Sequence, residues 1–219
     1  MKNKLISPIE AAKLVQSGDR VMIGGFLKCG TPQTLIKALL TLDTKDLTMI
    51  ANDTCFKDSG RGLLVANGRL KKVIATHIGT NPETGRRMNE KLLEVELVPQ
   101  GTLAERIHAG GAGLGGVLTK AGIGTLVEEG KEKIIVEGQT YLLEKPLYAD
   151  VALIYGSKVD PYGNISFHGT TRNFNTIMAM AAKTVIVEAE EYLDTPMNPD
   201  EVVISGIFVD HIVKKGEVL

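Results

Sequence analysis

A glycine-rich turn between an apolar segment and a helix start is the part of this chain best suited to chemistry. The apolar residues 21–23 run into Gly24 and its neighbouring glycine, and Gly30, Thr31 and Pro32 follow shortly after. Glycine lets the backbone approach a ligand closely, and Pro32 suits the first position of a helix with Thr31 as its cap. Because free N–H groups at a helix start favour negative charge, the turn is predicted to bind an anion. The alternative is an ordinary strand-to-helix turn.

Two known nucleotide-binding motifs do not fit the glycine-rich segments. Gly25 and Gly30 have the spacing of a P-loop, but Thr31 stands where a lysine should follow, so no ammonium group reaches a phosphate. A second glycine run, 110–116, contains the spacing of the dinucleotide-binding fingerprint. The preceding residues, 102–109, have the pattern of a helix, whereas the fingerprint requires a strand there. Both motifs are therefore rejected.

Apolar, β-branched segments alternate with helical ones, which is typical of an α/β fold with a largely parallel central sheet and helices on both faces. In such an open sheet, ligands bind beyond the carboxyl ends of the strands. The loops after the first four strands are therefore expected to share one crevice. The predicted strands are 21–23, 47–51, 72–76, 95–98, 151–155 and 184–188, and the four loops are 24–30, Asn52 with Asp53, 77–85 and 99–102.

Local signals place several helix starts. Ser7 with Glu10, and Thr102 with Glu105, have the spacing of a capping box, in which a hydroxyl and a carboxylate exchange hydrogen bonds with backbone N–H groups. The methionines and alanines of residues 172–183 are expected to form the packed face of another helix.

The length of the chain favours one sizeable domain over residues 1–219. A small β-hairpin is predicted over residues 133–143, where a glycine-containing turn separates two β-prone segments. The hairpin is expected to lie outside the main sheet.

Charge and composition exclude several classes of function. The 25 basic and 26 acidic residues nearly cancel, and the basic residues are scattered, so no nucleic-acid partner is expected. No apolar segment approaches the ~20 residues of a membrane span, and the N-terminus lacks the pattern of a signal peptide. A cytoplasmic protein without a membrane partner is expected, and the unpaired Cys29 and Cys55 suit a reducing compartment. The four histidines are too far apart in sequence to propose a metal site.

The glycine turn also begins a resemblance that covers nearly the whole chain. Residues 24–32 resemble the signature of the class I coenzyme A transferases, specifically of their α subunit. Ser17 stands where the family usually has Asp or Asn before its first glycine, and the last twenty or so residues are the least distinctive. Further blocks that are similar to the family, and in the family's order, are residues 50–53, 78–85, 99–106 and 110–116.

The resemblance implies a three-layer fold of the CoA-transferase kind and an enzyme that moves CoA between short-chain acids such as acetate, acetoacetate and butyrate. Coenzyme A is then a substrate, and no cofactor is bound permanently. Backbone N–H groups of the glycine turn suit the anions and amides of CoA, while a side-chain amide bonds carbonyls without adding charge. The residues implied in binding CoA are Gly24, Gly25, Phe26, Leu27, Lys28, Cys29, Gly30 and Asn52.

Family members work by a ping-pong mechanism in which a glutamate of the β subunit attacks the acyl-CoA and then carries the CoA as a thioester. The resemblance therefore implies a β-subunit partner that supplies this glutamate, in a heterotetramer of two α and two β chains. This chain contains no Glu-Asn-Gly block of the β type. The glutamates of this chain are weaker candidates for the nucleophile. Glu129 and Glu137 are expected to be solvated turn residues, Glu105 a helix cap, and Glu83 an oriented loop carboxylate, with a nucleophile as the alternative.

Gln100 is the best catalytic candidate of this chain. By resemblance, the block 99–102 approaches the partner's glutamate, and the Gln100 amide is then able to donate to the oxygen that becomes an oxyanion. The alternative is a polar residue that only satisfies the turn backbone. The glycine run 110–116 is interpreted either as part of the acyl pocket or as a subunit contact.

Two other functions stay open at this point. One is a sugar-phosphate isomerase or a thioesterase-like relative on a similar fold, for which the chain would need its own acid or base. The other is a CoA-binding or assembly subunit without direct catalytic residues.

Overall fold

Strand β1 lies at the centre of an eight-stranded sheet in the computed structural model, which describes residues 4–216. The strands are β1 (Arg20–Ile23), β2 (Leu47–Ile50), β3 (Leu70–Ala75), β4 (Glu94–Leu97), β5 (Val117–Thr119), β6 (Lys133–Val136), β7 (Gln139–Glu144), β8 (Ala149–Val159), β9 (Ile165–Ser166), β10 (Ala182–Tyr192) and β11 (His211–Lys214). The α-helices are α1 (Pro8–Ala12), α2 (Gln33–Leu40), α3 (Gly62–Ala66), α4 (Pro82–Asn89), α5 (Gln100–Gly111) and α6 (Asn175–Met178).

Strands are added on both edges of β1, in the order β11-β10-β8-β1-β2-β3-β4. The chain first builds the half from β2 to β4 and then returns to build the half from β8 to β11. All neighbours along this path are parallel, while β9 pairs with β8 antiparallel. The largely parallel sheet predicted from the sequence is confirmed, and β1 is the position at which the direction of building reverses.

Alternate residues of the central strands enter two apolar clusters, one on each face of the sheet. Val21 and Ile23 of β1 belong to the cluster that also holds residues of α1, α2 and α3. Met22 belongs to the other cluster, together with residues of α5 and α6. Because both faces are covered, these strands are buried on both sides and read as continuous apolar segments. The result is the expected arrangement of three layers.

The predicted hairpin is confirmed as part of a separate antiparallel sheet with the order β5-β7-β6. Its turn residues Glu137 and Gly138 have φ values of 51° and 74°. Positive φ at both central residues is the pattern of a type I′ turn, whose twist matches that of the flanking strands. Strand β5 was not predicted, since it is only three residues long.

The predicted helix over residues 172–183 is wrong in extent. The chain forms a 3₁₀ turn at Gly169–Arg172, the short helix α6, and then strand β10 from Ala182. Two asparagines in this segment use their side chains to bind distant backbone instead of continuing a helix. Met178 is buried in the core, as expected for the packed face.

Of the predicted helix starts, one is confirmed and two are wrong. Ser7 and Glu10 form the capping box at α1. Helix α5 begins earlier than predicted, so Thr102 lies within its first turn, where its hydroxyl is buried without a hydrogen-bond partner among the described residues. Pro32 occupies the cap position of α2, and the Thr31 hydroxyl donates instead to the carbonyl of Leu27.

Within residues 4–216, no helix combines the length and the apolar character that crossing a membrane requires.

Candidate active site

A crevice of about 390 Å³ opens beyond the carboxyl ends of β1, β2 and β3, beside the start of α5. The loops that follow the first four strands all contribute to it, as expected for the crevice of an open α/β sheet. Both polar and apolar side chains line this crevice. The described residues that line it include no lysine or arginine. The lining residues are Phe26, Leu27, Asn52, Asp53, Thr76, His77, Thr80 and Gln100.

The glycine turn after β1 is a tight loop with an unusual backbone. Phe26 and Cys29 exchange two backbone hydrogen bonds of 2.9 Å, which fold the loop back on itself. Gly25 has φ of 111°, and Leu27, which carries a side chain, has φ of 50°. A Cβ atom on Gly25 would lie 2.1 Å from the Thr31 hydroxyl and 2.5 Å from a guanidinium nitrogen of Arg61. The glycine is therefore required by the protein's own packing.

A buried ion pair lies directly beneath this loop. Arg61 Nη2 is 2.7 Å from Asp53 Oδ1, and both side chains are almost completely buried. Arg61 also donates to the carbonyl oxygens of Gly24 and Leu27, while the Leu27 N–H donates to Asp53 Oδ2. Burial raises the pKa of Asp53, but its ion pair with Arg61 and its hydrogen bonds outweigh burial and lower the pKa overall. Asp53 is therefore an anion at neutral pH.

Gln100 is tied to the same cluster through Asn52. The Gln100 amide nitrogen donates to Asn52 Oδ1 at 2.8 Å, and the Asn52 amide donates to Asp53 Oδ2 at 3.0 Å. Asn52 is buried, whereas Gln100 is exposed at the crevice. An amide nitrogen carries two hydrogens, so the bond to Asn52 uses one and leaves the other for a ligand.

Two asparagines from the segment before β10 hold the outer side of the glycine turn. Asn173 Oδ1 accepts a hydrogen bond from the Gly25 N–H at 3.0 Å, and Asn175 donates to the carbonyl of Gly30 at 3.0 Å. A Cβ on Gly24 would lie 1.7 Å from Asn175 Oδ1. The turn is thus enclosed between the first half of the chain and a segment near residue 175.

The residues implied in binding CoA occupy different positions around the crevice. Phe26, Leu27 and Asn52 line it together with Gln100. Gly24, Gly25 and Gly30 are buried and shape the turn from within. Lys28 is exposed, with its ammonium group 5.5 Å from the ring centroid of Phe56, and the thiol of Cys29 lies 3.2 Å from the Thr170 hydroxyl.

The glutamates considered from the sequence do not line the crevice. Glu83 lies in the first turn of α4, where hydrogen bonds from Arg86, together with Arg87, lower its pKa to about 2. A carboxylate held in this way is an oriented structural group, but it lies in a helix and not in a loop as predicted. Glu129 and Glu137 are exposed. The predicted cap Glu105 is wrong, since its carboxylate is exposed and contacts His108.

Part of the glycine run 110–116 packs against the chain itself, while Gly113 and Gly115 border open space. A Cβ on Gly110 would lie 2.0 Å from the Leu147 carbonyl oxygen, and one on Gly111 would lie 2.7 Å from Met180 Cβ. These glycines let the end of α5 approach neighbouring backbone, a role that neither interpretation of the sequence included.

Sequence reasoning missed Arg61, Asn173 and Asn175. Arg61 follows a polar loop segment with no apolar pattern, so its burial left no signal in the sequence. The stretch Arg172 to Asn175 contains two asparagines, which are weak helix formers. This was the one indication that a helix is interrupted there.

The fold is that of an open α/β protein, with a crevice at the point where the strand order reverses, which is where such proteins bind ligands. The model of the family described as coenzyme A transferase matches residues 5–215. The chain belongs to this family.

Individual relatives agree with that assignment. The chain is 53% identical to the acetoacetyl-CoA:acetate/butyrate CoA transferase alpha subunit of Clostridium acetobutylicum, over 98% of this chain and 99% of that protein. It is 50% identical to the acetate CoA-transferase subunit alpha of Escherichia coli, over 99% of both chains. In structure it resembles an acyl-CoA transferase of E. coli O157:H7 solved as a thioester complex with CoA, with a TM-score of 0.89 and 21% identity. That match covers 98% of this chain and 50% of the other, and it supports the fold alone.

Proposed function

We propose that this chain is the α subunit of an enzyme that transfers CoA between short-chain acids such as acetate, acetoacetate and butyrate. The names of two relatives, which are at least half identical to this chain over nearly its whole length, support this substrate class. Coenzyme A acts as a substrate and no cofactor is bound permanently. Family membership gives no support to the isomerase or thioesterase alternatives.

The proposed reaction uses a glutamate of a β subunit. Its carboxylate attacks the thioester carbonyl of the acyl-CoA, the C–S bond breaks, and CoA leaves as a thiolate from an acyl-glutamyl anhydride. The thiolate then attacks the glutamyl carbonyl, which releases the first acid and leaves a glutamyl-CoA thioester. A second acid reverses both steps and leaves as its CoA ester.

The position of Gln100 is the observation that supports a catalytic role of this chain. Each step creates a tetrahedral carbon with a negatively charged oxygen, which a fixed N–H donor stabilises. The Gln100 amide borders the crevice and is oriented by Asn52 at 2.8 Å. The neighbouring loop, from Gly24 to Gly30 with Asn52, is proposed to bind the CoA arm.

The proposal includes a heterotetramer of two α and two β chains, since several relatives are named as α or A subunits. It also includes one domain over residues 1–219, because both apolar clusters pack on a single sheet. The cytoplasmic location stays a prediction from the sequence.

The test is to compare the purified chain with a complex coexpressed with its β subunit. We expect the chain alone to transfer no CoA, because it lacks the nucleophile. The complex should show parallel lines in double-reciprocal plots, as ping-pong kinetics require, and a native mass of two copies of each chain. A complex in which the β-subunit glutamate is replaced by glutamine is the control. Transfer by the chain alone, or none by the complex, contradicts the proposal.

A further candidate function is a CoA-binding or assembly subunit that contributes no catalytic group. Substitution of Gln100, argued in the Discussion, distinguishes it from the proposed function.

A further inference from the structure

Arg61 is one of the largest completely buried side chains in the described part of the protein, with 0% of its surface exposed. A guanidinium group has five N–H donors in a fixed planar arrangement. Five hydrogen bonds account for them, and all reach residues of the crevice loops. The acceptors are the Asp53 carbonyl at 2.9 Å, Asp53 Oδ1 at 2.7 Å, the Gly24 carbonyl at 2.5 Å, the Thr31 hydroxyl at 3.1 Å and the Leu27 carbonyl at 3.3 Å.

One residue of the loop that Arg61 holds has a strained backbone. Leu27 has φ of 50°, a conformation that a residue with a side chain keeps only where the surroundings impose it, whereas the φ of 111° at Gly25 is one that glycine adopts readily. Arg61 binds carbonyl oxygens on both sides of these residues, and Asp53 binds the Leu27 N–H at 2.9 Å. The strained backbone is thus fixed from below by one ion pair.

Asp53 extends this control to Gln100. Its Oδ1 accepts from Arg61 and from the Cys55 N–H at 2.6 Å, and its Oδ2 accepts from Leu27 and from the Asn52 amide. With Asn52 oriented in this way, its own oxygen faces the Gln100 amide nitrogen at 2.8 Å. A continuous series of hydrogen bonds therefore runs from Arg61 to the group proposed to stabilise the oxyanion.

We propose that Arg61 and Asp53 are positioning residues of the transfer reaction: Arg61 sets the glycine turn that binds the acyl-CoA, and Asp53 orients Gln100 through Asn52. This inference rests on the proposed function. A buried ion pair adds little to stability compared with well-packed apolar residues. Apolar residues, however, would not hold the loop carbonyls and the Asn52 amide in a fixed direction.

The role of Arg61 is tested with Arg61→Lys in the assembled enzyme. A lysine keeps the charge beside Asp53, but its single ammonium group does not reproduce the bonds to both Gly24 and Leu27. We expect the complex to assemble and the KM for acyl-CoA to rise about tenfold, because a loop that is no longer held in its binding shape must be ordered when acyl-CoA binds.

Arg69→Lys is the matched control. Arg69 also donates to two backbone carbonyls, those of Leu40 at the end of α2 and of Thr44 in the following loop, but it precedes β3 and so lies at the opposite end of the sheet. We expect this variant to keep the KM of the natural enzyme. Equal kinetics for the two lysine variants would overturn the role of Arg61.

The role of Asp53 is tested by a double-mutant cycle with Gln100. If Asp53 acts through Gln100, Asp53→Asn lowers kcat in the natural enzyme but has little further effect in the Gln100→Ala background. We expect the two substitutions to be coupled by about tenfold, as is common for residues in one network. If Asp53 affected stability alone, the factors by which the two substitutions lower kcat would multiply in the double variant.

Asp160→Asn is the control for this cycle, because Asp160 is another fully buried aspartate whose bonds serve a different turn. Its effect should multiply with that of Gln100→Ala. If Asp53→Asn does not assemble, Asn52→Leu in the same cycle breaks the series without disturbing the ion pair. Multiplicative effects for Asp53, or for Asn52 in its place, would overturn the proposal. Inactivity of the natural complex would instead contradict the proposed function.

Discussion

The Gln100 amide gives the most direct test of chemistry at the scale of one residue. Removing one oxyanion donor typically lowers kcat by about 10² to 10³. We therefore expect Gln100→Ala in the assembled enzyme to lower kcat and kcat/KM by the same factor, as happens when an interaction is made mainly in the transition state. Steady-state kinetics with acetoacetyl-CoA and acetate measure both.

Gln139→Ala is the matched control, since Gln139 lies in the three-stranded sheet and its side chain contacts Lys120. Near-normal kcat in Gln100→Ala, together with weak assembly, would make Gln100 a turn residue. The assembly-subunit alternative would then be favoured.

Gly25 tests whether the shape of the glycine turn depends on the packing beneath it. A methyl group on Gly25 collides with Thr31 and Arg61, so Gly25→Ala should displace the ion pair from the loop. We expect a rise in the KM for acyl-CoA and a loss of stability that combines backbone strain and overpacking, each about 1–3 kcal/mol.

Gly18→Ala separates these two causes. Gly18 has φ of 90°, but a Cβ there would meet no atom within 4 Å. This variant should therefore show the strain without the change in KM, as measured by thermal unfolding and steady-state kinetics. Equal losses of stability and unchanged KM in both variants would mean that the contact with Arg61 does not matter.

Sequence reasoning located Gln100 and the glycine turn because glycine, proline and amide residues leave a pattern near strand ends. Their roles came from the family resemblance and stay predictions. Arg61 left no such pattern, because three of its acceptors, on Gly24, Leu27 and Thr31, lie 30 or more positions away in sequence.

At the scale of elements, a buried carboxyl joins β10 to the start of α2. Glu188 Oε2 accepts hydrogen bonds from the Thr34 and Leu35 N–H groups at 2.7 and 3.0 Å, while Oε1 is buried without a partner within residues 4–216. Burial raises the pKa of Glu188 from 4.5 to about 7, even though these N–H donors act in the opposite direction. The folded protein therefore holds this proton more tightly than the unfolded chain.

The stability that this proton contributes is complete below pH about 4.5 and is lost as the pH rises through about 7. Glu188→Gln removes the titration and keeps an acceptor for the N–H groups. We expect the natural protein to lose about 3 kcal/mol of unfolding free energy relative to this variant between pH 4.5 and pH 8. Thermal unfolding of the complex across this range measures it.

The control is Glu191→Gln, because Glu191 lies on the same strand and is exposed. Its difference from the natural protein should be the smaller of the two over this range. A difference for Glu188→Gln that does not vary with pH would show that folding does not raise the pKa of this carboxyl.

Elements were predicted well where both faces of a strand are buried. The central strands have apolar, β-branched sequences and were predicted. Strands β9 and β11 were not predicted, since β9 has only two residues and β11 ends in an exposed residue. The false helix over 172–183 arose because alanines and methionines suit a helix and the start of a buried strand alike. Only tertiary contacts, here those of Asn173 and Asn175, decide between the two.

At the scale of the whole molecule, periodicity in the sequence carries no information on the order of the strands. The alternation of elements predicts a parallel sheet, but the reversal at β1 depends on which strands pair, and pairing partners leave no local pattern. The glycine run 110–116 shows the same limit. Its close approach to Leu147 and Met180 depends on how α5 lies against the segments that precede β8 and β10.

The central position of β1 also has a consequence for the order in which the protein is made. The Gly25 N–H has a hydrogen-bond partner, Asn173, that lies 148 residues further along the chain, and β1 must pair with β8 as well as with β2. Contacts of such long sequence separation slow folding. During synthesis, β1 therefore has one edge unpaired until β8 emerges from the ribosome. The crevice takes its final shape only when most of the chain has been translated.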